Sequence, residues 1–265
     1  MSLIPRALLQ RLARAQLRLR RPRGRVQVFC GAGLSAPSGL SVYRGQSGAW
    51  TLDPEALAAM DLRNWPASRA RALSHLREWR LQALAAAPNP AHYALAAWKR
   101  AWPDHVTLVT QNVDGLLQRA GLSDSEVVEV HGSLHRARCL DCRFERPMPQ
   151  SATGAEPCPA CGSANSKPSV VFFHEEAPLY EKMERSMDPD ARLHSDTFLA
   201  IGTSWRVIAP ERLLRTRGRA MGLQLSVDSR PQPDLDPWMH EQFEGGAVAG
   251  VDWALRRIFA QWRMA

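Results

Sequence analysis

No run of about 18 apolar residues occurs in the 265-residue chain, so no segment reads as a membrane span. The N-terminal stretch also lacks the apolar h-region of a secretory signal. Cysteine is scarce, with five residues, four of them in two C-x-x-C pairs. Paired thiols at that spacing, in a chain with no export signal, point to metal rather than disulfides, and to the cytoplasm as the default compartment. Neither an internal repeat nor a long low-complexity segment occurs, which sets aside repeat architectures. Acids are missing from one stretch in particular, RALLQRLARAQLRLRRPRGR near the start.

That stretch supplies much of a net charge of +8, carried overwhelmingly by arginine. Three readings stay open for it. It reads as a solvated amphipathic helix ending at Pro22 and Gly24, as a contact for nucleic acid or another acidic partner, or as an organellar transit segment, which is Arg-rich and acid-poor. The rest of the chain is well supplied for a core, with 45% hydrophobic residues, and long enough for one large domain or one domain with a small insertion.

Strand and helix signals alternate. Arg25–Cys30 (RVQVFC) reads as a strand feeding the glycine-rich turn GAGLSAPSG. Residues 54–87 have helical spacing with Pro66 as a break, and a second helix covers Ala91–Arg100. HVTLVT (105–110) then runs into QNVDG, VVEVHG (127–132) repeats the pattern of strand and polar end, and residues 136–166 hold cysteines, prolines and turn formers. KPSVVFFHE, TFLAIGTS (197–204) and LQLSVD (223–228) follow, and VDWALRRIFAQW closes with helical spacing. Alternation of this kind predicts an α/β fold with a mostly parallel sheet covered on both faces. Ligands of such sheets bind beyond the carboxyl ends of the strands, where GAG, QN-D, HG and GTS collect.

Two patterns carry chemistry on their own. Cys139-x-x-Cys142 and Cys158-x-x-Cys161, separated by fifteen residues, fit a four-cysteine zinc site. Four sulfur ligands leave no open position, so the predicted zinc is structural and holds a segment too polar to build its own core; a redox dithiol pair is the competing reading. A ribbon of this type beside Arg136, Arg138, Arg143 and Arg146 also suits nucleic-acid binding. Gly31-Ala32-Gly33-x-x-Ala36 fits the dinucleotide fingerprint after a strand, a weak signal alone. Asp53 stands where a ribose-binding acid belongs, but preceding Pro54-Glu55 it is better read as a helix N-cap.

Taken in order, GAGLSAPSGLSVYRG, TQNVDGL, HGS, the two C-x-x-C pairs, VVFFHE and GTSWRV resemble the sirtuin family of NAD-dependent protein deacylases, bacterial-type members among them, over roughly residues 25–260. The resemblance implies a Rossmann-like large domain (about 25–45, 88–135 and 167–265) and a small domain with a helical part (about 46–87) and a zinc ribbon (about 136–166), behind a basic extension (1–24). It implies NAD as co-substrate, one structural Zn2+, and acyl-lysine protein or peptide as substrate, the acyl group passing to ADP-ribose with release of nicotinamide. Gly31, Ala32, Gly33 and Arg44 would line the phosphates and adjoining ribose, with Tyr43 near nicotinamide. Gln111, Asn112 and Asp114 would surround the ribose and nicotinamide. Gly202, Thr203 and Ser204 would lie near the adenosine half, and Asp228, where the family usually has asparagine, at a ribose. His131 matches the catalytic histidine, acting with Asn112 and Asp114. Neutral imidazole titrates near physiological pH and can take the proton of an attacking ribose hydroxyl. Val170, Val171, Phe172, Phe173, His174 and Glu175 would pair with the substrate peptide as an added strand, the 202–207 loop holding its other edge.

Departures from the family pattern are Tyr43 for phenylalanine, His174 for glycine, and Trp205 for a smaller residue. The Tyr-x-x-Arg pair that some members use for acidic acyl groups is missing from SHLREWR, which offers only Arg77 and Arg80. His92, in NPAH, reads as structural. Two other functions fit the same residues: a protein mono-ADP-ribosyltransferase using the same NAD site, and a non-enzymatic zinc-ribbon module binding nucleic acid. A monomer with no membrane partner is expected.

Overall fold

The computed structural model describes residues 24–42, 53–149, 151–154, 156–185, 196–214, 222–230 and 232–264. The arginine-rich extension expected over 1–24 lies outside these but for Gly24.

β1 (Val26–Cys30) is buried along its whole length. Its alternating residues serve two layers: Val26, Val28 and Cys30 enter one core cluster and Phe29 another, as the two-residue period of a strand requires. After two short 3-10 turns at Ala32–Leu34 and Ala36–Ser38 the described chain resumes at Asp53. Its carboxylate accepts from Ala56 N at 2.9 Å, the N-cap of α1 (Pro54–Ala59). α2 (Trp65–Ala85) follows a 3-10 turn. Pro66, expected as a break inside one long helix, sits in the first turn of α2, where its missing N–H is no loss. The break therefore falls just before it. α3 (Pro90–Ala101) is started by a capping box between Asn89 and His92.

β2 (Val106–Thr110), the short α4 (Leu116–Arg119) and β3 (Val127–Glu129) come next. β4 (Gly132–Cys139), β5 (Glu145–Pro147) and β6 (Ser166–Val170) form a separate antiparallel sheet in the order β5-β4-β6. α5 (Leu179–Arg185), β7 (Thr197–Ile201), α6 (Pro210–Leu214), β8 (Gln224–Asp228), β9 (Glu241–Glu244) and α7 (Ala247–Met264) complete the described chain. The main sheet is parallel throughout, in the order β3-β2-β1-β7-β8-β9. One face packs Leu95 and Trp98 of α3 against Leu255, Ile258 and Phe259 of α7. The other packs Met183 of α5 with Leu213 and Leu214 of α6. Both faces are thus covered, as predicted. A third cluster, with Met60, Trp65, Leu76 and Phe172, joins α1 and α2 to the small sheet.

Strand order places the switch point between β1 and β7: the chain winds outward from β1 through β2 and β3 on one side, and from β7 through β8 and β9 on the other. A crevice at the carboxyl ends of these two central strands is the ligand site of doubly wound sheets.

Candidate active site

The floor of that crevice is two interlocked turns. Gly31 N donates to Ile201 O at 2.8 Å and Gly33 N to Gly202 O at 2.9 Å. A Cβ on Gly33 would lie 2.5 Å from Gly202 Cα, and one on Gly202 would lie 2.4 Å from Gly33 Cα. Gly202 also holds φ +59, a region open to glycine. The glycine pair after β1 and the glycine after β7 thus require each other. Among the described residues no α-helix directly follows the GAG turn: Pro37 and the 3-10 turns take its place, a difference from the usual dinucleotide motif. Tyr43 and Arg44 lie outside the described residues.

Around the floor the polar side chains are bonded to one another. Asn112, buried, donates through Nδ2 to Gly31 O at 3.0 Å and to Ser35 Oγ at 3.1 Å. Ser35 Oγ donates to Asp114 Oδ2 at 2.7 Å, while Asp114 Oδ1 accepts from Leu116 N at 2.9 Å. Burial raises the Asp114 carboxyl from its ordinary range, opposed by those hydrogen bonds. Gln111 Nε2 donates to Thr203 Oγ1 at 2.9 Å, which joins the end of β2 to the turn after β7. Asp228, at the end of β8, is raised by burial as well, its Oδ1 accepting from Arg230 N at 3.0 Å.

His131 projects into the same cleft. Its Nδ1 lies 3.1 Å from Gln111 O and its Nε2 2.8 Å from Tyr180 Oη. A carbonyl only accepts, so Nδ1 carries the ring hydrogen and Nε2 is the unprotonated nitrogen, facing the Tyr180 hydroxyl. Burial holds the imidazole below its ordinary value, which keeps Nε2 unprotonated at neutral pH. Ala32, Thr203, Ser204 and Asp228 line this cleft together with the glycines and amides already described. Asp114 lies in an adjoining pocket that shares Ala32, Trp79 and Asn112.

An apolar trench continues from His131, formed by Met60, Trp79, Val113, Val170 and Phe172. Neither arginine of SHLREWR reaches it. Arg77 is exposed; Arg80 is buried and donates to the carbonyls of Met148, Pro149 and Ala152 at 3.0, 2.8 and 3.1 Å. Along the segment expected to meet a peptide, four N–H groups are already engaged: Val171 with His131 O, Phe172 with a Glu175 carboxylate oxygen, Phe173 with Met60 O, and Glu175 with Phe172 O. Glu175 is held by the buried Lys167 at 3.1 Å and by a close ion pair with Arg138. His174 takes φ +61 and lies 3.1 Å from Asp61. Trp205, at φ +57, packs its ring 5.5 Å from Phe29 and 6.2 Å from Phe198.

Beyond β4 the four cysteines converge. Their sulfurs all lie within 4.8 Å of one another, Cys139 to Cys161 at 3.7 Å and Cys142 to Cys158 at 3.6 Å. A tetrahedral zinc with Zn–S of about 2.3 Å sets sulfurs about 3.8 Å apart, so this cage fits the ion. Asp141 accepts from Ser163 and Asn165, tying the two knuckles together.

Ser35 and Tyr180 escaped sequence reading. Ser35 stood inside the glycine motif without an assigned role, and its bonds to Asn112 and Asp114 join segments 77 and 79 residues apart. Tyr180 belongs to no motif; only the fold brings α5 to His131.

A doubly wound parallel sheet with its cleft at the switch point and a four-cysteine ribbon beside it defines the class. The Sir2 family model matches residues 31–209. The chain is 37% identical over 256 residues to an NAD-dependent protein deacylase of Thermus thermophilus, covering 92% of this chain and 93% of the relative. It is 33% identical over 234 residues to one of Bdellovibrio bacteriovorus, covering 85% and 93%. A solved Sir2 homologue–NAD complex superposes with a TM-score of 0.74 at 25% identity, covering 96% of this chain and 94% of that one. The chain belongs to the Sir2 family.

Proposed function

We propose that the chain is an NAD-dependent protein lysine deacylase that moves the acyl group from lysine to ADP-ribose and releases nicotinamide. The observation that carries this is the placement of His131, neutral and with its lone pair facing the cleft, between the glycine floor and the apolar trench. NAD, when bound, supplies an activated ribose carbon and the neighbouring hydroxyls. The floor of Gly31, Ala32, Gly33 and Gly202 admits the diphosphate, and Asp228 takes a ribose hydroxyl. Asn112 and Asp114, fixed through Ser35, orient the nicotinamide end. His131 accepts the proton of the attacking hydroxyl at Nε2. Structural zinc in the four-cysteine cage holds the ribbon.

The substrate is a peptide or protein carrying acyl-lysine, its main chain beside His174 and Glu175 and its acyl end in the trench. A neutral acyl group fits that trench, since its described walls, Met60, Trp79, Val113, Val170 and Phe172, offer a carboxylate no cation. Removal of acetyl or longer neutral chains is expected to exceed removal of succinyl by tenfold or more. This reading places the protein in the cytoplasm, where reduced thiols remain free to bind zinc.

The test is incubation with NAD and acetyl-, succinyl- and long-acyl-lysine peptides, followed by mass spectrometry. Nicotinamide and acyl-ADP-ribose are expected in equal amounts, and His131→Ala is expected to lose at least about a hundredfold in rate. ADP-ribose attached to protein would instead establish a transferase, and salt-sensitive DNA binding without NAD turnover a nucleic-acid module.

A further inference from the structure

His131 has a partner that the proposed chemistry does not use. Because Nδ1 gives its hydrogen to Gln111 O, Nε2 can only accept, and the Tyr180 hydroxyl 2.8 Å away is the donor. Burial pushes the Tyr180 phenol up, so it keeps its proton. An imidazole nitrogen has one lone pair, which one donor fills. In this arrangement the lone pair required for the base is already taken by an O–H group, the same chemistry a ribose hydroxyl would present.

The tyrosine is placed there by its own supports. Its ring lies 5.0 Å from the guanidinium of Arg212, which pairs with Glu184 of the same short helix. Met183, three residues on and on the same face of α5, anchors the helix in the core cluster against which the Tyr180 ring also packs. The phenol is half-buried and lines the cleft with Val171, Phe173 and Val207.

We propose that Tyr180 is a positioning residue that caps the base: its hydroxyl holds Nε2 of His131 in the free enzyme and yields that place to a sugar hydroxyl when NAD binds. The proposal rests on the reading of His131 as the base. The cap keeps the ring in register and excludes water from Nε2, and its displacement weakens ligand binding by the net worth of one hydrogen bond. By the same argument, removing the hydroxyl while keeping the ring tightens binding by roughly two- to tenfold.

The experiment compares wild type with Tyr180→Phe in three measurements. Calorimetry with ADP-ribose is expected to give a Kd two- to tenfold lower in the variant, with no such gain when His131→Ala is also present, since the coupling runs through that ring. Steady-state kinetics with NAD and an acetyl-lysine peptide should show kcat/KM rising by the same factor through KM. The imidazole nitrogen resonance of His131 Nε2 should shift in the ligand-free variant and, in wild type, on adding ADP-ribose. A tenfold loss of kcat at constant KM would overturn the proposal, because the phenol would then act in the reacting complex. An unchanged Kd and an unmoved resonance would overturn it also. Absence of turnover on every peptide would refute the deacylase reading, while calorimetry and the nitrogen resonance would still decide the cap.

Discussion

Gly33 and Gly202 leave no room for a methyl group on either side, because the clash is backbone against backbone. Gly202→Ala adds a left-handed φ to that clash. It is expected to destabilise the fold by more than about 2 kcal/mol and to abolish ADP-ribose binding, read by urea melts and calorimetry. His92 makes a prediction of a different kind. It caps α3 from inside the core and lies 3.4 Å from Ser35, and burial brings its imidazole down to about 4. The unfolded chain binds that proton near pH 6.5 and the folded one does not until about 4. This contribution to stability is therefore complete above 6.5 and is lost as pH falls toward 4. The loss amounts to roughly 3 kcal/mol, and a His92→Gln variant should show a flatter stability profile over that interval. The activity itself should fall on the acid side at a pH below the ordinary histidine value, since burial keeps His131 neutral. Reading His92 as structural from NPAH agrees with its place in the cap. The sequence offered no hint that the same ring sits beside Ser35.

At the scale of elements, α2 and the ribbon depend on one another. Arg80 reaches from the helix to three carbonyls between β5 and β6. Arg80→Ala leaves those groups without their donor and is expected to cost about 2–4 kcal/mol, with hydrogen exchange rising first around residues 148–152. Zinc removal by a chelator should release four titratable thiols and loosen residues 139–165 while the six-stranded sheet persists, since the sheet's core contains none of those cysteines. Strands β1, β2, β7 and β8 were legible because each is an apolar run ending in polar turn residues. β4 and β9 were not. β4 carries Arg136 and Arg138, whose charges are matched by Glu129, Glu145 and Glu175 from elsewhere in the fold, and β9 is a charged edge strand, EQFE. Apolar periodicity cannot reveal a strand whose partners are ionic.

For the whole molecule, the cleft draws on both halves of the sheet, so a ligand filling it should stabilise all of them together. ADP-ribose at about a hundred times its Kd is expected to add about 2.7 kcal/mol, a rise of roughly 5 °C or more in Tm, and none in Gly202→Ala. The parallel sheet and its ligand end followed from the alternation of strand and helix signals, and the zinc cage from cysteine spacing. The trench did not follow, because Met60, Trp79, Val113 and Phe172 come from four separate segments. Nor could SHLREWR say which of its side chains faces that trench. The backbone turns Trp79 inward, Arg77 to solvent and Arg80 toward the ribbon.

The pairing of β1 with β7 also has a bearing on how the chain is made. Arg25 N bonds to Asp196 across 171 residues of sequence, and the strands they precede form the middle of the sheet. Some 171 residues must therefore be added after Arg25 before β1 gains its second neighbour, about ten to thirty seconds at elongation rates of about 5–20 residues per second. Throughout that interval VQVFC presents an open, apolar strand edge, a template for wrong pairing. Ligand rescue of a misfolded variant can act only after the turn at Gly202 has been made.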